Sequence, residues 1–311
     1  MANSTINTRM GPVEWLMLGF LSVLWGASFF LIEIALTGLP PFTIVAARVV
    51  IASAVIWLIV LTLRLPVPRS GAAWTAFVVM AVLNNVVPFA LIVWGQTEIE
   101  SGLAAILNAA TPIFTVIVAG LFLKDEPVTR SKIIGSGLGL FGVAILVGPS
   151  ALEGFSTSLL AQFAMLGAAL AYALAGVYGR RIAGLGVNPI AAAAGQLLAA
   201  SVIMIPLALA VDGPAVLAAA DISVWASVTA LAVFSTSLAY VVYFRLLQSA
   251  GATNLMLVTL LIPVTAILLG SLLLGERLSG FHFAGMLVVA LGLSVIDGRL
   301  WQRSWPVRNR R

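Results

Sequence analysis

The residue that most needs a reason for its place is Arg48. It lies in Pro41–Trp57, a stretch otherwise apolar and long enough, with its continuation, to cross a bilayer. A guanidinium in hydrocarbon is costly unless it meets a partner or a watery cavity. Its fork of donors suits a carboxylate. Binding the anionic end of a solute is the functional reading. A structural pair with Glu33, or a side chain snorkelling outward, is the alternative. Other polar groups stand at comparable depth: Asn84 and Asn85, Ser235-Thr236-Ser237, Gln196, and the helical faces Asn108/Thr111/Thr115 and Asn254/Thr259. Buried amides and hydroxyls must find partners, so each group either lines a cavity or ties helices together. Pro112 and Pro263 each remove an amide donor and free a carbonyl, at Asn108 and Thr259, which predicts a kink and a candidate hinge at each. Trp25, Phe89, Tyr172 and Tyr240 supply ring surface for an apolar side chain, while Trp57 and Trp74 read as packing or interfacial belt.

The same composition that makes Arg48 unusual fixes what positions it. Of 311 residues, 61% are apolar and 9% charged, against about 25% charged in a soluble domain. Such a chain cannot cover a water-exposed surface, and its recurring apolar runs predict an all-α membrane protein. Breakers and hydropathy place ten spans near 13–35, 41–63, 72–95, 101–123, 132–149, 157–179, 188–211, 222–245, 253–274 and 281–297. The first run is too long for a cleavable leader and has no small-residue cleavage site. With the N-terminus in the cytoplasm, every Lys and Arg other than Arg48 and Arg277 falls in cytoplasmic segments, and both termini are expected there. The Arg-rich end, Arg299 to Arg311, is then expected against anionic lipid rather than nucleic acid.

The chain also repeats itself. An offset of 148 aligns Gly19 with Gly167, Gly38 with Gly186 and Pro41 with Pro189. An offset of 151 aligns Trp74 with Trp225, Pro112 with Pro263 and Asp125 with Glu276. Residues 13–149 and 150–297 are therefore two five-span repeats, between a 1–12 N-terminal segment and a 298–311 basic tail. An odd number of spans makes the halves enter from opposite sides, as inverted copies, with a site expected at the midplane between them. Gly135, Gly139 and Gly142, with Gly285 and Gly292, predict close packing of spans five and ten, away from any solute.

Trp25-Gly26-Ala27-Ser28-Phe29 resembles the W-G-x-x-F start of EamA-type repeats, and Ile262-Pro263 with Leu274-Gly275-Glu276-Arg277-Leu278 resembles their Pro…G-E-R-L end. A weaker copy, Thr111-Pro112 with Leu123-Lys124-Asp125-Glu126-Pro127, closes the first half. The chain thus resembles the drug/metabolite transporter superfamily over residues 13–297, and within it the amino-acid exporters of the YddG type. That resemblance implies two inverted five-helix repeats, a central cavity and export of small metabolites from the cytoplasm of a bacterial cell across its inner membrane, by alternating access. The expected solute contacts are Trp25, Arg48, Asn84, Asn85, Phe89, Asn108, Thr111, Tyr172, Gln196, Tyr240 and Asn254, with Pro112 and Pro263 as hinges. Partners are the bilayer and a small solute, an amino acid or else another metabolite or drug; no oligomeric state is legible. An integral membrane enzyme would need clustered acids, His or Cys; Cys is absent and His282 stands alone, so no catalytic set, metal or cofactor is expected. A retinal receptor lacks its lysine, since Lys124 and Lys132 lie between spans, and a channel lacks a ring of like charges.

Overall fold

The structure, a computed structural model, describes residues 10–123, 126–147, 158–215, 220–274 and 280–297. Most of the Gly275-Glu276-Arg277 motif, Lys124-Asp125 and the basic tail lie outside them. Every regular element among the described residues is helical. These are α1 (Pro12–Leu36), α2 (Pro41–Thr62), α3 (Gly71–Ala81), α4 (Val87–Gly95), α5 (Ser101–Asn108), α6 (Thr111–Phe122) and α7 (Arg130–Val147). The second half supplies α8 (Leu159–Gly184), α9 (Pro189–Val211), α10 (Ile222–Ala232), α11 (Ala239–Met256), α12 (Val258–Leu274) and α13 (Gly280–Asp297). Two π-turns, Val82–Val86 and Val233–Leu238, join α3 to α4 and α10 to α11, so that each pair forms one rod.

Among the described residues, seven stretches are long and apolar enough to cross a membrane, including Gly71–Gly95, Leu103–Phe122 and Ile222–Met256; Gly280–Ile296 is apolar but shorter. The burial pattern agrees. Leu16, Leu61, Leu121, Phe141, Phe163 and Phe283 point outward, more than half exposed, while Asn84, Asn85, Gln196, Ser235 and Thr236 are buried. In water that distribution would be costly on both counts, whereas in lipid it satisfies both.

Local chemistry sets the boundaries. Pro12, Pro41 and Pro189 each open a helix at a position where the missing N–H costs nothing. Glu14 turns back to accept from the Gly11 amide at 2.8 Å, and Asn188 caps α9 through the Ile190 amide at 2.9 Å. The π-turns coincide with hydroxyls that compete for backbone carbonyls: Thr236 and Ser237 donate to the carbonyls five residues back, Leu231 and Ala232, at 2.9 and 2.8 Å. α5 and α6 are separated by a turn at Ala109-Ala110, immediately before Pro112. The matching Pro263 lies inside a continuous α12, and the neighbouring break falls earlier, at Leu257. Gly251, at φ 82°, breaks the backbone within α11, a left-handed conformation that a Cβ would strain.

The halves pack reciprocally. α8 lies against the α3–α4 rod and α6, and α1 lies against the α10–α11 rod and α12. α2 packs along α9. α7 and α13 pair with each other, and their backbones approach so closely that a Cβ on Gly135 would come within 2.6 Å of the Gly292 carbonyl oxygen.

Candidate functional site

A cavity lies among α1, α2, α4, α5, α8, α11 and α12. About 570 Å³ is free of protein atoms there, part of it open to solvent. Its walls are aromatic and aliphatic: Trp25, Phe29, Phe89, Tyr172, Tyr240 and Tyr243, with Ile32, Ile92, Met256 and Ile262. Its polar groups are few: Arg48, Ser28, Asn108 and Thr259. No Asp or Glu is among the lining residues.

Arg48 sits seven residues after Pro41, the first residue of α2, and is 5% exposed. Its Nε donates to Thr236 Oγ1 at 2.7 Å, and Nη2 reaches the Ser235 carbonyl at 3.4 Å. The guanidinium carbon stands 3.8 Å from the centre of the Phe89 ring, a cation–π geometry. These partners are not the Glu33 of the alternative structural pair; Glu33 is exposed. The charge is thus held by neutral groups, and no carboxylate neutralises it among the described residues. Trp25 is fixed by its indole N–H, which donates to the Ser235 carbonyl at 3.1 Å, and its ring lies 6.1 Å from that of Tyr243. Tyr240, Tyr243 and Phe244 form a tilted and edge-to-face ring cluster with centres 5.1 to 6.4 Å apart.

Of the expected solute contacts, Trp25, Arg48, Phe89, Asn108, Tyr172 and Tyr240 meet in this cavity. Asn84, Asn85 and Gln196 lie beneath it. Gln196 Nε2 donates to Asn85 Oδ1 at 2.5 Å, Asn85 Nδ2 to the Tyr240 hydroxyl at 2.7 Å, and that hydroxyl to the Asn84 carbonyl at 3.1 Å. They form a buried chain across three helices rather than a lining, in which Asn84 Nδ2 and Gln196 Oε1 are left without a protein hydrogen-bond partner among the described residues. Thr111 is spent on the Asn108 carbonyl at 2.6 Å, which is the group Pro112 leaves free. Asn254 donates to the Ala250 carbonyl at 3.0 Å and does not line the cavity. Asn108 Oδ1 and the Tyr243 hydroxyl are buried with no protein hydrogen-bond partner among the described residues.

Two carboxylates that the sequence reading left in loops prove to be clasps. Glu126, 3% exposed, accepts from the Ala252 and Thr253 amides at 3.1 and 3.0 Å, from the Thr253 hydroxyl, and from Arg180 at 3.1 Å. It therefore caps the helix that restarts after Gly251 and ties it to the ends of α6 and α8. Asp212, at the other end, accepts from the Thr43 amide and hydroxyl at 2.7 and 2.8 Å and caps α2. Each joins one half of the chain to the other. Sequence held a signal for them only in hindsight: a Thr in the first turn of a helix beside an acid distant in the chain.

The EamA-like transporter family matches the chain twice, over residues 13–148 and 159–296. An uncharacterized transporter of Archaeoglobus fulgidus is 25% identical over 289 residues, covering 91% of this chain and 98% of that one. The uncharacterized inner membrane transporter YedA of Escherichia coli (strain K12) is 28% identical over 284 residues, 89% of this chain and 88% of that one. A probable amino-acid metabolite efflux pump of the same organism is 26% identical over 295 residues, 92% and 95%. A solved structure described only as a crystal structure of protein shares the fold at a TM-score of 0.72, with 20% identity over 92% of this chain and 97% of that chain.

Proposed function

The chain belongs to the EamA-like transporter family, and on that premise we propose that it exports small carboxylate-bearing metabolites, above all amino acids with aromatic or hydrophobic side chains. The observation that carries this reading is Arg48, a buried cation whose partners among the described residues are a hydroxyl, a carbonyl and a ring. In a low-dielectric cavity with no acid on its wall, the favoured ligand brings its own carboxylate. A zwitterion's ammonium group finds the unpartnered Asn108 Oδ1 and the ring faces of Trp25 and Tyr243. An apolar side chain asks only for shape and area, which Ile32, Ile92, Met256 and Ile262 supply. One relative's name, the probable amino-acid metabolite efflux pump, supports the same class.

The mechanism we read is alternating access between two inverted five-span repeats in the bacterial inner membrane, with both termini in the cytoplasm. The sorting of Lys and Arg supports that orientation. It puts Gly38 and Gln96 at the outer side and the Glu126 clasp at the cytoplasmic side. Cysteines introduced singly by R69C and E98C into this Cys-free chain test the orientation: an impermeant thiol reagent applied from outside should label only E98C, and labelling of R69C reverses it. The solute is tested by counterflow in proteoliposomes with threonine, methionine, phenylalanine and tryptophan. Exchange of the larger apolar amino acids is the expected result. If none of them moves while a cationic drug or a sugar does, the amino-acid reading is overturned.

A further inference from the structure

We infer that Thr236 is a positioning residue for Arg48: it sets the plane of the guanidinium so that the terminal donors face the cavity. The inference rests on the reading of Arg48 as the group that takes the solute's carboxylate.

An arginine side chain has five N–H bonds in a rigid plane. Here Nε donates to Thr236 Oγ1 at 2.7 Å and one Nη2 hydrogen is directed at the Ser235 carbonyl at 3.4 Å. That leaves both hydrogens of Nη1 and one of Nη2 without a protein partner among the described residues. Two free donors on adjacent nitrogens are what a carboxylate needs for two parallel hydrogen bonds. Such a fork binds well only if its plane is held, since each rotation about the long side chain offers the ligand a different edge.

Three contacts hold it. Phe89 lies under one face at 3.8 Å, Ser235 takes a corner and Thr236 takes the inner edge. The Thr236 contact is the short one, and its direction is fixed from behind. Thr236 donates its own hydroxyl hydrogen to the Leu231 carbonyl at 2.9 Å, so toward Arg48 the oxygen acts as an acceptor only. The π-turn makes this possible. Through the turn Val233–Leu238 the Ala239 amide donates to the Phe234 and Thr236 carbonyls and not to Ser235. The Ser235 carbonyl accordingly receives the Trp25 indole and the Arg48 guanidinium together. Thr236 is therefore distinct from its neighbours. Ser235 donates its hydroxyl to the Leu24 carbonyl at 2.7 Å and Ser237 to the Ala52 and Ala232 carbonyls, which are helix-to-helix and intrahelical ties.

The discriminating measurement is binding of phenylalanine against phenylalaninamide, which lacks the carboxylate, to the purified full-length protein in nanodiscs. Wild type should prefer the acid. T236V keeps the shape of the side chain and removes the acceptor, and should reduce that preference about tenfold, mainly by weakening the acid. T236S should recover most of it. In an R48K background T236V should add less than about a twofold change, because the ammonium has no Nε edge to hold. If T236V does not fold, T236C, whose thiol is a poor acceptor, takes its place. A T236V protein that keeps the preference, one that weakens acid and amide equally, or a T236S protein as impaired as T236V overturns the assignment. A wild type that binds acid and amide alike defeats the carboxylate reading itself, and this inference with it.

Discussion

At matching places in the two halves, a polar side chain of the second helix meets the π-turn of the opposite half. Arg48 of α2 donates to Thr236 at 2.7 Å, and Gln196 of α9 donates to Asn85 at 2.5 Å. Arg48 and Gln196 correspond under the 148-residue offset, and Asn85 and Thr236 under the 151-residue offset. The sockets are alike, yet one opens on the cavity and the other is sealed, with Gln196 and Asn85 both 0% exposed. The difference follows from charge. A neutral amide pair joined by one hydrogen bond, even with Gln196 Oε1 unmet, costs far less to close off than a charge does. A guanidinium with three unmet donors cannot be sealed cheaply and must face water or a ligand. The cavity wall carries the same asymmetry: Phe89, Ile92 and Asn108 of the first half correspond under the 151-residue offset to Tyr240, Tyr243 and Thr259 of the second, and all six line it. On the proposed reading, single residues of a duplicated scaffold make one side the binder and the other the strut.

If Arg48 is the binder, R48A should weaken counterflow of carboxylate solutes about a hundredfold while folded yield stays near wild type, and R48K should restore part of it. A loss of folded yield with normal transport per folded molecule would move Arg48 to the structural side of the comparison. If the second socket is a strut, Q196L should do the reverse. It leaves Asn85 Oδ1 buried without its donor and should cost about 1–3 kcal/mol in reversible unfolding, with solute affinity changed less than about threefold. A Q196L protein that is stable but no longer tells acid from amide would erase the distinction between the sockets. The smallest expected contrast is between the prolines. Pro112 follows a real break, and the carbonyl it frees is held by Thr111, whereas α12 runs on through Pro263. P112A should slow turnover several-fold, on the order of 1 kcal/mol in the barrier, and P263A by less than about twofold. Equal effects in transport assays would mean that both act alike despite their different settings.

Much of this was legible from the residues alone because membrane insertion is governed by quantities that add along the chain. Apolar runs, prolines at helix starts and the duplication gave an all-helical membrane protein with a deep cation near its middle. The close α7–α13 pair was readable from Gly135, Gly139, Gly142, Gly285 and Gly292, because small residues permit only one kind of contact in lipid. Trp25, Arg48, Phe89, Asn108, Tyr172 and Tyr240 were readable as polar or aromatic groups at mid-depth.

Depth, however, is all that a linear pattern reports, and the azimuth of a side chain around its helix comes from packing. Asn85 and Gln196 were as polar and as deep as any lining residue, but the helices turn them toward each other. Glu33 was near enough to Arg48 in depth to pair with it, and Thr236, 188 residues away, took the contact. Glu126 read as a loop acid until the fold set the restarted helix after Gly251 against it. The sequence by itself determined the solvent, the helices, the duplication and the presence of a buried cation, since each is a sum of local free energies. Only the tertiary structure decided which partner each polar group takes, because a hydrogen bond is directional and lost within an ångström, and that precision belongs to the arrangement of helices.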